Sequence, residues 1–480
     1  MAQREDDRHD YVASHIFDWD DQRRFAVLTG DVNPLHMDAD AARRTQAGAP
    51  VVHGMHVVIW ALDTLFGLQA IPPVASVQAK FLKFVYVGQA VNLRITQKSD
   101  ALLKFSIDCE GVPTTSVTVR FEQGERAPFP ERDQLTVVPI ASTPDEHDVA
   151  SLAGLKGLLA GKPEAAAGFG ELYPSLAAAS SPQTVEALGL MSTLVGMVCP
   201  GLHSIFVEAA FDLQPDGAAK PGLNFAADAI DERFQMVPVR IAGPGMVGHV
   251  SAILRPRPVA PPTPGMAAGS VNPGEFSQQR ALIIGGSRGI GAVCSLLLAA
   301  GGAKVTITYR RGRSEAEAVA ASINAHWPDA AQAMQYDVDR PAADQLVDTQ
   351  QPTHVYYLAT PKIFQQSTNL FTRALFEQFV DVYVSGFLDV VSALEGTGAG
   401  ASYMYPSSIA VEERPKGMTE YAMAKAAGEQ LCRDLKRRWP KSRYTVPRLP
   451  RINTDQTATV PPVPAADPIA TMLPLLRQCA

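Results

Sequence analysis

A proline-rich segment divides the chain into parts with different secondary-structure patterns. Residues 255–279 contain five closely spaced prolines: Pro256, Pro258, Pro261, Pro262 and Pro264. Because proline fixes φ and lacks an amide donor, we expect a semi-rigid linker here, rather than a helix or a central strand. We place this linker at 256–277, and a chain of 480 residues is long enough for two to four domains. A weaker boundary, rich in charge and proline, lies at about 124–150.

The part before the linker contains the same pattern twice. An apolar stretch at 51–69 and an apolar helix face at 183–198 predict two buried helices, each followed by β-rich runs. The predicted strands are 75–85, 90–98, 101–109 and 114–122, then 202–213, 223–231, 235–242 and 246–254. This order predicts a duplicated unit in which one central helix is wrapped by an antiparallel sheet, with domains at 1–124 and 150–255.

The part after the linker, residues 278–480, alternates short apolar strands with helices. The predicted strands are 281–285, 303–309, 332–338, 353–359 and 401–406. Such alternation is typical of a parallel, doubly wound sheet. The predicted fold class is therefore multidomain α+β and α/β.

Composition and charge argue against several classes of function. The chain is 46% hydrophobic and carries a net charge of −7, which argues against general affinity for nucleic acid or anionic membranes. Its five cysteines lie far apart, without a zinc-ligand or disulfide pattern, so we expect no metal site and a reducing compartment. The first ten residues lack the apolar core of a signal peptide, and the chain contains no apolar run long enough for a membrane span. We expect a soluble, cytoplasmic protein.

A glycine-rich turn stands between the first strand and helix of the C-terminal part. Residues 285–291 read Gly-Gly-Ser-Arg-Gly-Ile-Gly, after the strand ALIIG and before an apolar helix. Glycine lets the backbone approach a pyrophosphate, whose charge then meets the amides of the helix N-terminus. The pattern predicts a Rossmann-like dinucleotide site, although a turn that binds no ligand is the alternative.

The end of the second strand bears on which dinucleotide binds. Thr308-Tyr309-Arg310-Arg311 lacks the carboxylate that usually binds the ribose hydroxyls of NAD, and Arg288 lies in the glycine turn. Cationic groups here can pair with a 2′-phosphate, which favours NADPH, unless Arg310 and Arg311 are simply solvated. Asp337, at the end of the third strand, can accept a hydrogen bond from the adenine amine.

Tyr421 and Lys425 lie four residues apart, on one helix face, with Ser408 preceding them. An ammonium beside a phenol lowers the phenol pKa, so that Tyr421 can transfer a proton near neutral pH, while Ser408 orients a carbonyl. Glycine turn, serine, tyrosine and lysine in this order resemble the short-chain dehydrogenase/reductase family over 278–457. The resemblance implies hydride transfer from the nicotinamide to a carbonyl carbon, with Lys425 also binding the nicotinamide ribose.

The resemblance also implies the full cofactor site and shows four departures from the family pattern. The implied cofactor residues are Gly285, Ser287, Arg288, Gly289, Ile290, Gly291, Arg310, Asp337, Val338, Ala359, Tyr421 and Lys425. The family's Asn-Asn-Ala-Gly is Leu358-Ala359-Thr360-Pro361 here, and Tyr383 replaces the Asn of a proton relay. Pro450-Arg451 stands where Pro-Gly is usual, and only 55 residues follow Lys425, so we expect an open substrate mouth. A degenerate reductase that only binds nucleotide is the alternative.

A second possible site lies near the N-terminus, in Gly30-Asp31-Val32-Asn33-Pro34-Leu35-His36. A carboxylate and an imidazole across a proline-fixed turn can act on one water, as hydration of a double bond requires. The alternative is an Asx-turn with an incidental histidine. Val52-His53-Gly54-Met55 follows at the start of a buried helix, whose amides can stabilise an oxyanion.

This arrangement resembles the MaoC-like, R-specific enoyl-CoA hydratases, which have the hotdog fold, over residues 14–122. The resemblance implies a catalytic pair Asp31 and His36, an orienting Asn33 and an oxyanion amide at Gly54, with His53 a packing or capping residue. The second repeat lacks the motif, and Cys199 with His203 has no spacing that we can assign to chemistry. We interpret it as a degenerate hotdog that completes the acyl pocket, so the N-terminal part is a double hotdog.

Together the two resemblances imply one bifunctional enzyme of fatty acid or polyketide metabolism. It would reduce a 3-oxoacyl thioester with NADPH to the (3R)-3-hydroxyacyl thioester and interconvert that with the trans-2-enoyl thioester. The expected partners are an acyl-CoA or acyl carrier protein thioester and further copies of the chain, as a homodimer or larger homo-oligomer. The alternatives are a thioester-binding or carrier-docking scaffold with one active domain, and a hotdog thioesterase fused to a reductase.

Overall fold

The computed structural model describes residues 11–68, 71–121, 135–213, 221–347, 351–363, 371–396, 398, 400–459 and 463–480. The chain forms two compact units, the first comprising Met1–Arg257 and Thr459–Pro462, the second Pro258–Ala458 and Val463–Ala480. The first ten residues, and residues 122–134 of the weaker predicted boundary, lie outside the described part.

The first unit contains an eleven-stranded sheet among its described residues. Its strands are Tyr11–Ile16, Ser76–Phe81, Ala90–Lys98, Leu102–Cys109, Val112–Arg120, Val137–Val138, Lys156–Leu159, Ser204–Leu213, Leu223–Ala227, Met236–Gly243 and Met246–Leu254. Antiparallel pairing of Ser76–Phe81 with Ser204–Leu213, with Val77 opposite Phe211, joins the two repeats into one sheet. The predicted strands that follow each central helix are confirmed, whereas the pattern did not indicate the strand Tyr11–Ile16.

Two buried helices form the centre of this unit and contact each other. We name them the first central helix, Gly54–Leu68, and the second central helix, Pro182–Thr193, which continues as a π-helical turn, Leu194–Val198. The other helices are Trp19–Thr29, Pro34–Met37, Ala39–Arg43, Val149–Leu152, Ala165–Leu172 and Pro174–Ala179. Both central helices are buried along most of their length, and packing their apolar residues against the sheet removes that surface from water. The predicted double hotdog is confirmed.

The second unit contains a parallel sheet of six strands. These are Arg280–Ile284, Lys304–Tyr309, Ala331–Gln335, His354–Tyr357, Ser402–Met404 and Arg443–Thr445, with a separate parallel pair Ser407–Ser408 and Arg448–Leu449. Arg280–Ile284 lies between Lys304–Tyr309 and His354–Tyr357, so the strand order reverses beside it. Ligands of doubly wound sheets bind at such a reversal, and the predicted Rossmann-like fold is confirmed.

Most helices of this unit lie between its strands along the chain. They are Pro264–Ser270, Gly289–Ala300, Arg313–Asn324, Ala342–Gln345, Arg373–Val380, Gly386–Glu395, Ala410–Glu413, Thr419–Arg438 and Pro468–Cys479, with a π-helical turn Asp381–Ser385. None of the helices in the described parts of the chain is both long and apolar enough to cross a membrane.

The expectation that the proline-rich segment forms no helix is wrong. Residues Pro264–Ser270 are helical, with Thr263 as N-cap, its hydroxyl accepting a hydrogen bond from the Met266 amide, and Ala267 buried. Proline is well tolerated in the first turn of a helix, because the amide it lacks has no partner there. Pro264 therefore starts a helix where the pattern indicated a break.

Candidate active sites

The loop that carries Asp31 and Asn33 is held by its own side chains. The helix Trp19–Thr29 ends at Gly30, whose φ of 82° favours glycine, and the Asp31 amide then donates to Thr29 Oγ1 at 3.0 Å. The Asn33 amide donates to Asp31 Oδ1 at 3.1 Å, and Asn33 Oδ1 accepts from the Leu35 amide at 2.9 Å. The Asx-turn considered above as an alternative is therefore present, and it fixes the position of the Asp31 carboxylate.

The structure brings Asp31 and His36 together. Their side-chain ligand atoms and one of His53 lie within 4.8 Å of one another. His36 Nδ1 lies 2.7 Å from the carbonyl oxygen of Val51, which can only accept, so Nδ1 carries a proton. In neutral His36 the Nε2 lone pair then remains for a water or a substrate proton.

His53 packs against the pair rather than opening to the pocket. It is fully buried, and its ring stacks on His36 with 4.1 Å between centroids. His53 Nε2 lies 3.1 Å from the Asp31 carbonyl oxygen and Nδ1 3.2 Å from Gln22 Oε1. Gln22 Nε2 donates to Val51 O at 3.1 Å, so buried Gln22 ties together the segments that carry His36 and His53.

The second repeat contributes to this site, which the sequence analysis did not predict in detail. Ser192, on the second central helix, donates to Asp31 Oδ2 at 2.7 Å, and Asn33 Nδ2 donates to the Gly196 carbonyl at 2.6 Å. A Cβ on Gly196 would lie 2.7 Å from Asp31 Oδ1, so only glycine fits there without displacing the carboxylate. The available signal was a polar residue, Ser192, and a small one, Gly196, four positions apart in the predicted apolar helix face at 183–198.

Burial and hydrogen bonding act oppositely on the Asp31 carboxyl. Complete burial raises the pKa of Asp31, while nearby His36, the Ser192 hydroxyl and the Asn33 amide offset part of that rise. Burial also lowers the pKa of His53 well below its usual value, so His53 is neutral near pH 7. Burial therefore disfavours the charged forms of both the Asp31 carboxyl and the His53 imidazole.

Both repeats line the pocket beside Asp31 and His36. It encloses about 600 Å³, including its opening to solvent, and its walls include Gly54 and Phe81 from the first repeat and Ser192 and Phe206 from the second. Gly54 begins the first central helix, and a Cβ there would lie 2.9 Å from the Phe81 ring. The N-terminus of the first central helix therefore lies at the same pocket as Asp31 and His36.

Cys199 and His203 of the second repeat do not form a nucleophilic pair. Burial raises the pKa of Cys199 to about 12, so its thiol stays protonated at neutral pH. His203 Nε2 instead lies 3.1 Å from Glu146 Oε1.

The glycine turn of the second unit fits a dinucleotide. Gly285 has φ of 87°, and a Cβ there would lie 2.8 Å from the Ala359 amide nitrogen, while one on Gly291 would lie 2.1 Å from the Gly285 carbonyl. The helix Gly289–Ala300 begins at this turn, with Arg288 as N-cap and Ile290 in its first turn. Ser287 lies in the same turn. Close backbone packing around a helix N-terminus is the arrangement that receives a pyrophosphate.

The structure places Arg310 in an ion-pair cluster with two carboxylates. Arg310 Nε lies 2.9 Å from Asp337 Oδ1, and its Nη2 lies 2.5 Å from Asp339 Oδ2. All three side chains are partly exposed, and Val338 lies between the two aspartates in the chain. A nucleotide phosphate bound here would therefore pair with Arg310, which already pairs with Asp337 and Asp339.

Tyr421, Ser408 and Lys425 also lie close together. Burial raises the pKa of Tyr421, and the nearby Ser408 side chain offsets part of that rise. Lys425 Nζ donates to the Pro406 carbonyl at 2.8 Å and lies 6.0 Å from the centre of the Tyr421 ring. Burial lowers the pKa of Lys425 to about 7. The structure therefore brings the three predicted side chains near one another.

Comparisons with known proteins agree with this division. A family model described as a MaoC like domain matches residues 4–118, and one described as a short chain dehydrogenase matches residues 279–459. A search of the curated proteins finds no match. The chain thus joins a MaoC-like domain, which is of hydratase type, to a short-chain dehydrogenase domain, which is of oxidoreductase type.

Solved structures similar to the chain include three short-chain enzymes. A putative short chain dehydrogenase from Escherichia coli CFT073, complexed with NADPH, is 19% identical, with a TM-score of 0.39, over 43% of this chain and 93% of its own. A putative short chain dehydrogenase from Pseudomonas syringae is 19% identical, with a TM-score of 0.39, over 44% and 92%. A gluconate 5-dehydrogenase from Burkholderia cenocepacia J2315, in complex with NADP and tartrate, is 19% identical, with a TM-score of 0.34, over 37% and 73%.

Proposed function

We propose that the chain is a bifunctional acyl-thioester enzyme. Its second unit reduces a 3-oxoacyl thioester to the (3R)-3-hydroxyacyl thioester with NADPH, and its first unit interconverts this product with the trans-2-enoyl thioester. The shared 3-hydroxyacyl intermediate gives a chemical reason for both domains to lie on one chain. The observation that carries the proposal is the convergence of Asp31 and His36 in one pocket at the start of the first central helix.

In the first unit, Asp31 and His36 would transfer the protons that addition or removal of water requires. Hydration adds a hydroxyl to C3 of the enoyl group and a proton to C2, so one proton must leave water and one must reach carbon. His36 can take a proton at Nε2, because Nδ1 is held by Val51, and the raised pKa of Asp31 suits its carboxyl to exchange one. The Gly54 amide, at a helix N-terminus, would stabilise the negative charge that develops on the thioester oxygen.

In the second unit, Tyr421 would hold the proton that a carbonyl oxygen receives on reduction. Ser408 would orient that oxygen, since its side chain lies beside Tyr421. Lys425, when charged, would favour the phenolate that Tyr421 leaves. The nicotinamide cofactor, held by the glycine turn, would supply the hydride.

The proposed preference for NADPH is supported by Arg288 and Arg310. Arg310 follows the strand Lys304–Tyr309 directly, where a 2′-phosphate would approach, and Arg288 caps the helix after the glycine turn. Asp337 and Asp339 hold Arg310 in place and also weaken its net attraction for a phosphate. We therefore propose a moderate rather than an absolute preference.

The proposed compartment is the cytoplasm. All five cysteines are buried and free of disulfides, as in a reducing environment. The acyl carrier, CoA or an acyl carrier protein, and assembly into a homodimer or larger homo-oligomer stay predictions from the sequence.

Two assays on the purified chain test the proposal. Crotonyl-CoA would be followed by loss of enoyl absorbance, and acetoacetyl-CoA by NADPH oxidation. We expect Asp31→Asn to lower hydration roughly 10²–10⁴-fold without changing reduction, and Tyr421→Phe to do the reverse, because each removes one acid–base group.

In each variant, the reaction that is retained shows that the chain has folded. If both reactions are lost in a variant that still folds, the assignment to separate sites is wrong. Release of free CoA from crotonyl-CoA would instead indicate a thioesterase. Inactivity of the unmodified chain on CoA-linked and carrier-linked substrates would favour the scaffold.

A further inference from the structure

Lys425 is a buried ammonium surrounded by aromatic rings. Only 6% of its surface is exposed, and its Nζ lies 3.7 Å from the centre of the Tyr383 ring and 5.2 Å from that of Tyr405. Its Nζ donates to the Pro406 carbonyl. A cation over the face of an aromatic ring is attracted to it, more strongly where water is excluded.

The Tyr383 ring is fixed in the orientation that this contact needs. It is fully buried in the π-helical turn Asp381–Ser385, and it stacks on Phe379 with 5.9 Å between centroids and 6° between planes. At its other end, the Tyr383 hydroxyl lies 2.5 Å from the hydroxyl of Thr360, which follows the strand His354–Tyr357. Ring and hydroxyl are therefore both restrained, although different neighbours hold them.

We propose that Tyr383 is a positioning residue of the reductase, whose ring face keeps Lys425 in its cationic form beside Tyr421. The inference rests on the proposed reduction. At position 383 the family resemblance predicts an asparagine of a proton relay. In this chain the residue is a tyrosine, whose ring face lies against Lys425. A neutral lysine would not favour the Tyr421 phenolate, so the ring would extend activity towards higher pH.

The direction of the pH effect follows from the groups around Lys425. The titratable groups are Tyr383 and Tyr405 from other elements, and Tyr421 and Cys432 from its own helix. Glu429, one turn further along that helix, is hydrogen-bonded to Ser407 and paired with Arg448. Burial lowers the pKa of Lys425, and the Tyr383 ring opposes this by favouring the charged form. Removing the ring should lower the pKa of Lys425 further. As pH rises, activity should therefore begin to fall at a lower pH than in the unmodified chain.

Two substitutions separate the ring from the hydroxyl. Tyr383→Leu removes the aromatic face, whereas Tyr383→Phe keeps the face and removes the bond to Thr360. We expect Tyr383→Leu to move the basic limb of the kcat–pH profile down by about one pH unit, a tenfold change in the protonation equilibrium. Tyr383→Phe should leave the basic limb in place, whatever its effect on the maximum rate.

Phe387→Leu is the matched control. Phe387 is fully buried on the next helix, Gly386–Glu395, and packs on Tyr405 and Tyr357, so its loss loosens the same core cluster. It should leave the basic limb in place. An unshifted limb in Tyr383→Leu would overturn the proposal, and so would an equal shift in Tyr383→Phe or in Phe387→Leu.

A readout independent of activity separates this proposal from the proposed function. NMR titration of ¹³Cε-lysine-labelled chain, with the Lys425 signal assigned through Lys425→Met, reports the charge of Lys425 directly. A lower pKa of this lysine in Tyr383→Leu than in Tyr383→Phe supports the proposal, even if no 3-oxoacyl thioester is reduced. Equal pKa values contradict it, even if reduction occurs.

Discussion

In the hotdog unit, the buried Asp31 carboxylate accepts hydrogen bonds from Ser192 Oγ and the Asn33 amide. In the reductase unit, the buried Lys425 ammonium donates to one carbonyl and otherwise faces aromatic rings. Both arrangements lower the free-energy cost of burying a charge away from water. That cost would be large for an isolated charged group. They differ in how sensitive they are to small changes: hydrogen bonds depend on sub-ångström placement, whereas a ring face tolerates more displacement.

The largest effect that would sharpen this comparison is expected from Gly196→Ala. The added methyl would lie 2.7 and 2.8 Å from the two Asp31 carboxylate oxygens, so the carboxylate must move. Misplacing a catalytic group by about 1 Å can cost on the order of 100-fold in rate, and we expect hydration of crotonyl-CoA to fall by that amount.

The matched control is Gly170→Ala. Gly170 is a helical glycine of the same unit, and its added methyl would contact Pro182 at an ordinary 3.4 Å. Hydration should be unchanged in that variant. Full hydratase activity in Gly196→Ala would show that Asp31 does not depend on close packing by the second repeat.

The two sites also differ in which of their contacts can be predicted from the sequence. The Asp31–His36 pair and the Tyr421–Lys425 pair were predictable because each lies within one short segment, where a turn or one helical turn fixes the spacing. Ser192 lies 161 positions from Asp31 and Tyr383 lies 42 from Lys425. Their contacts depend on how helices pack, and local periodicity does not encode that.

The proline-rich segment shows a different limit. The five prolines predict a break, yet Pro264 occupies the first position of a helix, where proline is favoured. The position of a proline relative to a cap such as Thr263 decides its effect, and a count of prolines does not include that position. Predictions of apolar helices and strands were more robust, because burial of a whole face fixes them.

A smaller, tenfold effect is expected from Ser192→Ala. The Ser192 hydroxyl stabilises the charged form of Asp31, so its removal should raise the pKa of Asp31 further. If hydration needs the carboxylate, the acid limb of its pH profile should move up by about one unit, since a hydrogen bond to a charged group contributes roughly 1.5–3 kcal/mol.

Ser180→Ala provides the control for this shift, because the Ser180 hydroxyl donates only to the Leu176 carbonyl in its own helix. Its pH profile should match that of the unmodified chain. An unshifted acid limb in Ser192→Ala would mean that the second repeat serves packing alone.

An exposed charge should matter less than these buried ones. Arg310→Gln should raise KM for NADPH about fivefold more than KM for NADH, because Arg310 is partly exposed and already shared by Asp337 and Asp339. Asp339→Asn should act in the opposite direction, since it removes one competing carboxylate. If neither variant changes the ratio of the two KM values, the 2′-phosphate does not bind beside Arg310.

The smallest effects are expected in stability, where the two buried charges should have opposite pH dependence. The pKa of Asp31 is raised above its ordinary 3.8, so the folded unit holds its proton to higher pH than the unfolded chain does. The resulting cost to stability grows as pH rises through that interval and is complete above it. The pKa of Lys425 is lowered from 10.5 to about 7, so its cost is complete below pH 7 and disappears as pH rises towards 10.5.

Asp31→Asn should therefore gain a few degrees in Tm over the unmodified chain at pH 8 and less at pH 5. Lys425→Met should gain most at pH 6 and progressively less at pH 9. Calorimetry across this range would record the transition of the unit that carries each residue. Because a neutral replacement removes a desolvated charge but also loses its hydrogen bonds, the sign of the pH trend is more informative than the size of the gain. Parallel trends in the two variants would show that one of the two pKa values is shifted in the opposite direction.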